Sequence, residues 1–336
     1  MRIKKLLSLL MLSMMFCSLT GCMKIYENLT VNPDGSITET TKSCILKEYA
    51  DSGSYQPEPG EIVETLEDGK QYYTSTETAT TTASQLSKEH SDLILNGDIF
   101  YYYVGLYEDE ATANSELSQA IRSGIYLKMN VTLLSDIIDT NANIAADTSG
   151  NTASFDTMAV TDVWYAYTAQ GKQAIEADHT APVITGVKNN KYYRYMPTTS
   201  CSDNVCIDAT KVILNGKPAA PDSITSSKEG KNTLTVSDLN GNSTSVTFYL
   251  DTKAPVIKGV KNNKIYKKQA VIYVKDKQML SKVTDNKKNV KLAKKSLVKS
   301  GKYKGYYKIT IQKKGKHTII AKDSAGNKTT MKITIQ

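Results

Sequence analysis

Apolar residues alternate with Thr, Ser and Lys in short runs from residue 180 to the C-terminus, and Gly and Asn separate the runs. A period of two residues is typical of half-buried β-strands. Asn215-Gly216 lies between two such runs, and this pair favours a tight hairpin because both residues tolerate positive φ. Seven or so short strands in about 75 residues match the spacing of a two-sheet sandwich.

The pattern changes between Lys24 and Ala177, where acids are more frequent. Leu and Ile recur at helical spacing over Ala83–Leu95 and Ala111–Ser123, which predicts two helices. Short apolar runs around them predict strands. We therefore predict an α+β domain in this part of the chain, with strands over Phe100–Leu106, Tyr126–Leu134, Thr152–Phe155 and Val163–Thr168.

Two segments in the C-terminal half are near-copies: residues 180–191 read TAPVITGVKNNK and residues 253–264 read KAPVIKGVKNNK. Their ends also match, since VSDLNGN at 236–242 corresponds to AKDSAGN at 321–327. Such repetition indicates two copies of one structural unit. The offset grows from 73 to 85 residues between the two comparisons, so the second copy carries twelve extra residues, which we place in the lysine-rich stretch 286–306.

The repeated motifs resemble those of the bacterial immunoglobulin-like domains of surface proteins. They are Ala-Pro-Val-Ile-x-Gly-Val at the head of each copy, ILNGK at 213–217 in the first copy, and Asp-x-x-Gly-Asn before the last strand. The resemblance covers residues 180–336 and implies two all-β immunoglobulin-like sandwich domains. Such domains serve as spacers, adhesin arms or carbohydrate-binding modules, so the resemblance implies a fold and no single function.

The N-terminal part resembles the LppM-like lipoprotein domain. The similar segments are YENLTVNPDGSI at 26–37, YLKMNVT at 126–132 and GNTASFD at 150–156. The resemblance covers most of residues 23–175 and implies a cell-envelope lipoprotein, but it carries over no functional residue. The chain departs from the family pattern at Leu134, where a Pro is usual, and at Phe155, where a Trp is usual.

The first residues combine a positively charged start with an apolar run. Arg2, Lys4 and Lys5 precede the uncharged stretch Leu6–Leu19. That stretch is too short to cross a bilayer of about 30 Å, which needs about 20 apolar residues. We therefore predict a signal peptide over residues 1–21.

The predicted signal ends in LTGC at 19–22, which resembles the lipobox of bacterial lipoproteins. The resemblance implies cleavage between Gly21 and Cys22 and a lipid anchor on the Cys22 thiol, a diacylglyceryl group with acyl chains such as palmitate. Two acyl chains hold a protein durably on a membrane, whereas one holds it only marginally. Two alternatives stay open: an ordinary secretory signal that ends at a similar site, and an uncleaved N-terminal anchor.

These patterns divide the chain into four segments. We predict a lipoprotein signal peptide over 1–21, an LppM-like α+β domain over 22–178, a first immunoglobulin-like domain over 179–252 and a second, lysine-rich one over 253–336. The predicted fold class is an α+β N-terminal domain followed by two all-β immunoglobulin-like sandwich domains.

The charge is divided unevenly along the chain. Residues 253–336 hold 24 Lys, no Arg and three acids, for a net charge of +21, whereas the rest of the chain has a net charge of −13. A cationic domain outside the membrane attracts polyanions at short range. We expect an anionic cell-wall polymer or host surface as partner, through Lys287, Lys288, Lys294, Lys295, Lys313 and Lys314.

Nucleic acid is not an expected partner, because export removes the chain from cytoplasmic nucleic acid and the scarcity of Arg removes the best reader of bases and phosphates. The alternative interpretation of the lysines is a solvated face that only keeps the domain soluble. Both interpretations stay open from sequence alone.

Candidate catalytic residues are few. The only histidines, His90, His179 and His317, lie one in each predicted domain or linker, so a hydrolytic triad would have to form across domain boundaries. There is no Gly-rich phosphate loop and no metal-binding motif. We therefore predict a protein that is not an enzyme and has no cofactor or metal.

Cys201 and Cys206 lie on either side of a predicted turn and are expected to form a disulfide after export. Two buried thiols are the alternative. The tyrosine run 101–103 is expected to fill a core with alternate members, with an exposed aromatic platform as the alternative. Asp238, Asp251 and Asp323 resemble calcium-assisted linker positions in some surface repeats, but we interpret them as turn residues.

Two functional hypotheses follow. The first is a lipid-anchored protein of the cell envelope that faces the outside of the cell and binds or adheres through its immunoglobulin-like domains, the cationic one at the extracellular end. The second is an envelope carrier that holds a lipid or another apolar ligand in the N-terminal domain, with the sandwiches as spacers.

Overall fold

The structure is a computed structural model that describes residues 22–89, 93–104, 125–157, 161, 163–219, 224 and 228–336. The predicted signal peptide over 1–21 and the predicted helix over Ala111–Ser123 lie outside the described residues. The described chain is mostly β, and its buried side chains form three main apolar cores, one in the N-terminal region and one in each C-terminal repeat.

The N-terminal region contains two sheets. Its strands are β1 (Met23–Val31), β2 (Ser36–Leu46), β3 (Ile62–Thr65), β4 (Gln71–Thr82), β5 (Leu93–Leu95), β6 (Ile99–Tyr103), β7 (Tyr126–Thr132), β8 (Ile137–Thr140), β9 (Thr152–Asp156) and β10 (Val163–Thr168). One sheet has the order β3-β4-β2-β1-β7-β9 and the other β5-β6-β10-β8. The β1 strand pairs antiparallel with β2 and parallel with β7.

The helices of this region are short. They are α1 (Lys47–Tyr49), which continues into a π-helical turn over Ala50–Ser54, α2 (Ala83–Glu89) and α3 (Ala169–Glu176), with a 3-10 turn over Ala145–Asp147. The Thr168 hydroxyl caps α3 by accepting from the N–H of Gly171. The helices are peripheral to the sheets, which carry most of the described fold.

The helix predicted over Ala83–Leu95 is wrong in its second half. The structure ends α2 at Glu89 and makes Leu93–Leu95 a strand that pairs with β6. Leu93 and Leu95 are buried on one face of this strand while Ile94 lies on the other. A run of three apolar residues is compatible with the period of a helix or of a strand, and pairing with β6 makes this run a strand.

The N-terminal core lies between the two sheets. Phe155 of β9 stacks on Trp164 of β10, with ring centroids 5.5 Å apart, and Phe100 of β6 contacts Phe155 at 5.3 Å. All three rings are fully buried. Phe155 therefore fills the space between the sheets in the position where the resembled family has Trp.

The first C-terminal repeat is a two-sheet sandwich, here called the first sandwich (residues 179–252). Its strands are β11 (Val183–Thr185), β12 (Tyr192–Tyr193), β13 (Ser200–Ser202), β14 (Ile207–Leu214), β15 (Lys217–Pro218), β16 (Gly230–Asp238) and β17 (Ser243–Leu250). The sheet β11-β13 packs over the sheet β12-β17-β16-β14-β15. Val212, Leu234, Val236 and Phe248 form the centre of its core.

The second repeat has the same plan and is here called the second sandwich (residues 253–336). Its strands are β18 (Val256–Lys258), β19 (Lys264–Tyr266), β20 (Ala270–Lys275), β21 (Leu280–Asp285), β22 (Lys288–Val290), β23 (Tyr307–Ile311), β24 (Gly315–Asp323) and β25 (Lys328–Ile335), with a 3-10 turn over Lys294–Ser296. The sheets have the orders β18-β20-β23 and β19-β25-β24-β21-β22. The long connection between β22 and β24, which contains β23, overlaps the stretch 286–306 where the extra residues were predicted.

Both sandwiches use the same hairpin in the middle. Asn215 and Gly216 have positive φ angles of 55° and 81° between β14 and β15, as the sequence predicted. The second copy lacks the Gly, but Asn286 and Lys287 adopt the same region, with φ of 46° and 68°. Asn286 holds the turn in place because its side chain donates to the carbonyl of Lys316 and accepts from the N–H of Thr318.

A further apolar cluster, separate from the three cores, joins the N-terminal region to the first sandwich. Ile99, Tyr101 and Tyr103 on one face of β6 pack with Tyr167, Cys206 and Ala209. The Tyr101 hydroxyl accepts from the N–H of Ala209 at 3.1 Å and donates to Asp208 at 3.4 Å. Tyr102, between them in sequence, faces the N-terminal core instead.

The inward face of β1 carries one acidic residue. Glu27 is 9% exposed and lies between the buried Ile25 and Leu29. One carboxylate oxygen accepts from the Thr41 hydroxyl at 2.8 Å, and the other has no hydrogen-bond partner. Burial, with the nearby charge of Glu39, raises the pKa of Glu27 well above its ordinary value.

We predict that Glu27→Gln stabilises the protein at pH 7. A group whose pKa is raised on folding contributes stability below its unfolded pKa, about 4.3 for Glu, and loses it as the pH rises through the folded pKa. The urea midpoint of the variant should exceed that of the wild type at pH 7, and the difference should shrink towards pH 4. A constant difference across this range would contradict the assignment.

We predict that Tyr101→Phe weakens the contact between the N-terminal region and the first sandwich. The change leaves the buried N–H of Ala209 without its acceptor, which costs about 1–3 kcal/mol. Chemical denaturation should show this loss, and amide exchange of Ala209 should become faster. Tyr165→Phe, on the same sheet but half-buried, is the matched control and should change exchange at Ala209 little.

Candidate functional site

One end of the second sandwich collects four of the six lysines that the sequence selected. Lys287 lies in the turn between β21 and β22, Lys288 is the first residue of β22, and Lys313 and Lys314 precede β24. Asn286 joins these two segments through its backbone and side-chain bonds to Thr318 and Lys316. We call this group of four exposed lysines the lysine end.

The lysine end is supported from inside by the buried side chain of His317. This residue is 4% exposed; its Nδ1 lies 2.7 Å from Asp285 and its Nε2 lies 2.7 Å from the carbonyl oxygen of Lys313. The ring therefore contacts both segments that carry the lysines. His317 thereby fixes the start of β24 against the end of β21.

The other two selected lysines lie elsewhere. Lys294 and Lys295 form the 3-10 turn that follows β22, beside β23. The structure therefore separates the predicted set into the lysine end and a second, smaller pair on the connection between the strands. Sequence spacing alone did not distinguish them.

The lysines of the second sandwich keep their charge uncompensated. None of them forms an ion pair with an acid in the part of the chain that the structure describes, and Asp285, one of the three acids of residues 253–336, contacts His317 instead. Like charges on one surface repel one another and attract a polyanion. This surface is therefore suited to an extended anionic ligand.

Sequence reasoning missed a second feature of the same sandwich, a face where tyrosines and lysines alternate. Tyr303, on the long connection before β23, stacks on Tyr273 of β20, with centroids 3.8 Å apart. Lys258 and Lys275 lie over the Tyr306 ring at 5.8 and 5.7 Å. The only signal in the sequence was the pairing of Tyr with Lys in GKYKGYYK at 301–308, and its partner Tyr273 lies about thirty residues earlier.

Cys22 lies directly before β1 in the N-terminal sheet. Its carbonyl oxygen accepts from the N–H of Leu46 at 2.8 Å, so the chain is already paired with β2 at this residue. Gly21, the other residue of the predicted cleavage site, lies outside the described residues. No flexible segment therefore separates the predicted lipidation site from the folded region.

The two cysteines of the expected disulfide, Cys201 and Cys206, are not bonded to each other in this structure, and the disulfide stays a prediction. Cys201 lies on β13 and packs against the core of the first sandwich, whereas Cys206 is buried in the cluster with Tyr101. The two residues thus belong to different apolar clusters. Cys44 is fully buried on β2, as expected, and burial raises its pKa to about 11.

The remaining candidates do not assemble into an exposed site. His179 is exposed at the entry to the first sandwich, and His90 lies outside the described residues. The tyrosine run 101–103 is buried throughout, which excludes the alternative of an aromatic platform there. Tyr72 is also buried, at 1% exposure.

The N-terminal region has an open cavity of about 420 Å³ on its larger sheet. Its lining is polar: Asn28, Thr30, Asn130, Thr132, Asp147, Thr152 and Ser154. A lining of this kind suits water and polar groups better than an apolar ligand. No helix of the described residues combines the length and the apolar character needed to cross a membrane.

No protein-family model matches the sequence, and no curated protein matches it. Among solved structures, the chain is similar to the folded domain of the Mycobacterium tuberculosis LppM protein, with 12% identity and a TM-score of 0.26 over 45% of this chain and 94% of that one.

Two longer proteins are similar over most of this chain. The Bacteroides ovatus glucan-utilization protein SGBP-B, solved with a mixed-linkage heptasaccharide, has 9% identity and a TM-score of 0.17 over 90% of this chain and 53% of that one. The human desmocollin-1 ectodomain has 10% identity and a TM-score of 0.16 over 94% and 57%. The chain spans about half the length of these two proteins, and at such scores none of the likenesses supports an argument about function.

Proposed function

We propose that this protein is a non-catalytic lipoprotein of the cell envelope, anchored outside the cell through Cys22, that binds an anionic polymer through the second sandwich. The observation that carries the proposal is the lysine end, where Lys287, Lys288, Lys313 and Lys314 lie on two joined segments and form no ion pair with any acid of the described residues. The ligand is an extended polyanion of the cell wall or of a host surface.

The arrangement of charge supports this proposal. The second sandwich has a net charge of +21 and the rest of the chain −13. A membrane surface that carries anionic lipid attracts the cationic unit and repels the acidic remainder. The acidic N-terminal region lies next to the anchor and is repelled by anionic lipid, so attachment at this end depends on the acyl chains. The cationic second sandwich is therefore available for a different ligand.

The carrier hypothesis has less support. It needs an apolar cavity in the N-terminal region, but the described core is filled by aromatic and aliphatic side chains, and the cavity on the larger sheet is polar. Mass spectrometry of material extracted from the purified full chain tests this hypothesis. A bound lipid recovered in proportion to the protein would favour it over a purely spacer-like N-terminal region.

We predict that replacing the four residues of the lysine end with Gln weakens binding to immobilised polyglycerol phosphate by at least about a hundredfold, since a lysine beside an anionic surface contributes about 1 kcal/mol. The dependence of binding on salt should become shallower, because fewer ion pairs form. Binding isotherms at several salt concentrations measure both effects.

The matched control removes the same charge from the first sandwich, through Gln at Lys188, Lys191, Lys217 and Lys231, which are all exposed. It should leave affinity within about threefold of the wild type. Equal losses in the two variants would mean that only total charge matters and would contradict a role of the lysine end. Replacing Lys258 and Lys275 with Gln tests the contribution of the tyrosine–lysine face in the same way.

We predict that Cys22→Ser moves the protein from the membrane fraction to the soluble extracytoplasmic fraction, because the acyl chains have no other attachment site. Cell fractionation and metabolic labelling with palmitate measure this change. Cys44→Ser, which removes a buried thiol that no acyl transferase reaches, is the control and should keep the label. Retention of Cys22→Ser in the membrane would contradict the anchor and favour an uncleaved signal.

A further inference from the structure

Two clusters of three aspartates lie where one predicted domain passes into the next. In each cluster, one carboxylate oxygen from each residue lies within 4.8 Å of the others. The first aspartate cluster consists of Asp178, Asp203 and Asp238, and the second consists of Asp251, Asp276 and Asp323. In both, the first residue precedes the sandwich and the other two belong to it.

The last member of each cluster is held by the Asp-x-x-Gly-Asn turn. Asp238 accepts from the backbone N–H and the side-chain amide of Asn242, both at 2.8 Å. Asp323 accepts from the same two groups of Asn327, again both at 2.8 Å. The two turns are therefore built from the same contacts.

The same asparagines reach the chain that enters each sandwich. The Asn242 amide donates to the carbonyl oxygen of Asp178 at 2.9 Å, and the Asn327 amide donates to the carbonyl oxygen of Asp251 at 2.6 Å. This contact draws the first aspartate of each cluster towards the last one. The structure thus builds the same junction twice.

The middle member of each cluster is fixed by its own turn. Asp203 accepts from the backbone N–H groups two and three residues later, at 2.9 and 3.1 Å. Asp276 does the same, at 2.7 and 2.9 Å. All of these donors lie within the turn, so they orient the carboxylates without neutralising their charge.

In the second cluster, two buried acceptor atoms have no hydrogen-bond partner. Asp251 is 0% exposed, and its Oδ2 has no hydrogen-bond partner. Asn327 is 3% exposed, and its Oδ1 also has none. An unpaired buried acceptor next to buried carboxylates is costly unless a donor or a cation completes the site.

The charges of the aspartates also favour a bound cation. None of the six aspartates forms an ion pair with a described basic residue. The like charges therefore repel one another as long as no cation lies between them.

We propose that each aspartate cluster binds one calcium ion, so that the chain carries two calcium sites, one at each end of the first sandwich. The second cluster supplies oxygen ligands only, which suit hard cations rather than zinc. Calcium accepts irregular geometry and several carboxylates, whereas magnesium demands a near-ideal octahedron and retains its water. The side-chain amides of Asn242 and Asn327 hold the last aspartate of each cluster in place by donating to its carboxylate.

The two sites differ in the contacts of their first aspartate, which ranks their affinities. Asp178 also accepts from the side-chain amide of Asn204 at 3.0 Å, whereas the Oδ2 of Asp251 is unpaired; in the first cluster the unpaired buried oxygen is Oδ1 of Asp203. At the position equivalent to Asn204 the second cluster has Lys277, which is exposed. The second site therefore binds calcium more tightly than the first.

Calcium titration of the purified full chain in detergent, after removal of divalent ions by a chelator, tests this proposal. Isothermal calorimetry should show two ions per chain, with dissociation constants of about 10⁻⁴–10⁻³ M, the range of extracellular calcium modules. Magnesium should compete weakly. Small-angle scattering should show a narrower distribution of distances between the N-terminal region and the two sandwiches once calcium is bound, because each ion joins a sandwich to the segment that precedes it.

Site-specific variants separate the two ions. Asp323→Asn should remove the tighter ion and Asp238→Asn the weaker one, and the double variant should bind none. Asp34→Asn is the matched control, because Asp34 also accepts from an N–H of its turn but lies between β1 and β2 and belongs to neither cluster; this variant should bind two ions. Far-UV circular dichroism confirms that each variant is folded.

Absence of saturable calcium binding by the wild type at millimolar concentration would overturn the proposal without reference to any variant. The proposal would also be overturned if the Asp238→Asn and Asp323→Asn variants still bound two calcium ions per chain. The proposal is independent of polyanion binding, since the lysine end takes no part in either cluster. Loss of one property in its own variants, with the other retained, distinguishes the two.

Discussion

The shape of the C-terminal half depends on one contact that occurs twice: an asparagine amide, from Asn242 or Asn327, that ties the last hairpin of a sandwich to the carbonyl of the residue where the chain enters it. The bond matters because the strand that follows on the entering segment, β11 or β18, has only three residues. The bond also sets the distance between carboxylates at both junctions. Sandwich orientation and the chemistry of the junctions therefore have a common origin.

Much of the β architecture could be predicted from the sequence, because period-two runs and Asn-Gly turns are local signals. The repeat indicated two copies of one β unit, and the two copies have five-stranded sheets of corresponding order. The junctions could not be predicted in the same way: Asp238, Asp251 and Asp323 look like turn residues in isolation, and Asp178, Asp203 and Asp276 carry no motif at all. Their convergence depends on tertiary contacts between segments tens of residues apart.

Other features that the sequence did not reveal have a similar physical basis. Leu93–Leu95 reads equally well as a helix end or as a strand until β6 pairs with it. Cys201 and Cys206 are close in sequence, yet the packing of the first sandwich against the N-terminal region draws Cys206 into an interface that spacing cannot reveal. The same interface buries Tyr101 and Tyr103, and Tyr102 faces the N-terminal core, so the run fills a core on each face of β6.

Strand direction has a mechanical consequence. In each sandwich an early strand pairs in parallel with the last one, β12 with β17 and β19 with β25. A pull that separates the two ends of such a unit acts along these strands, so it loads their hydrogen bonds together in shear instead of opening them one after another. A chain built in this way is suited to bearing tension, as any tether between a cell and an immobile surface must.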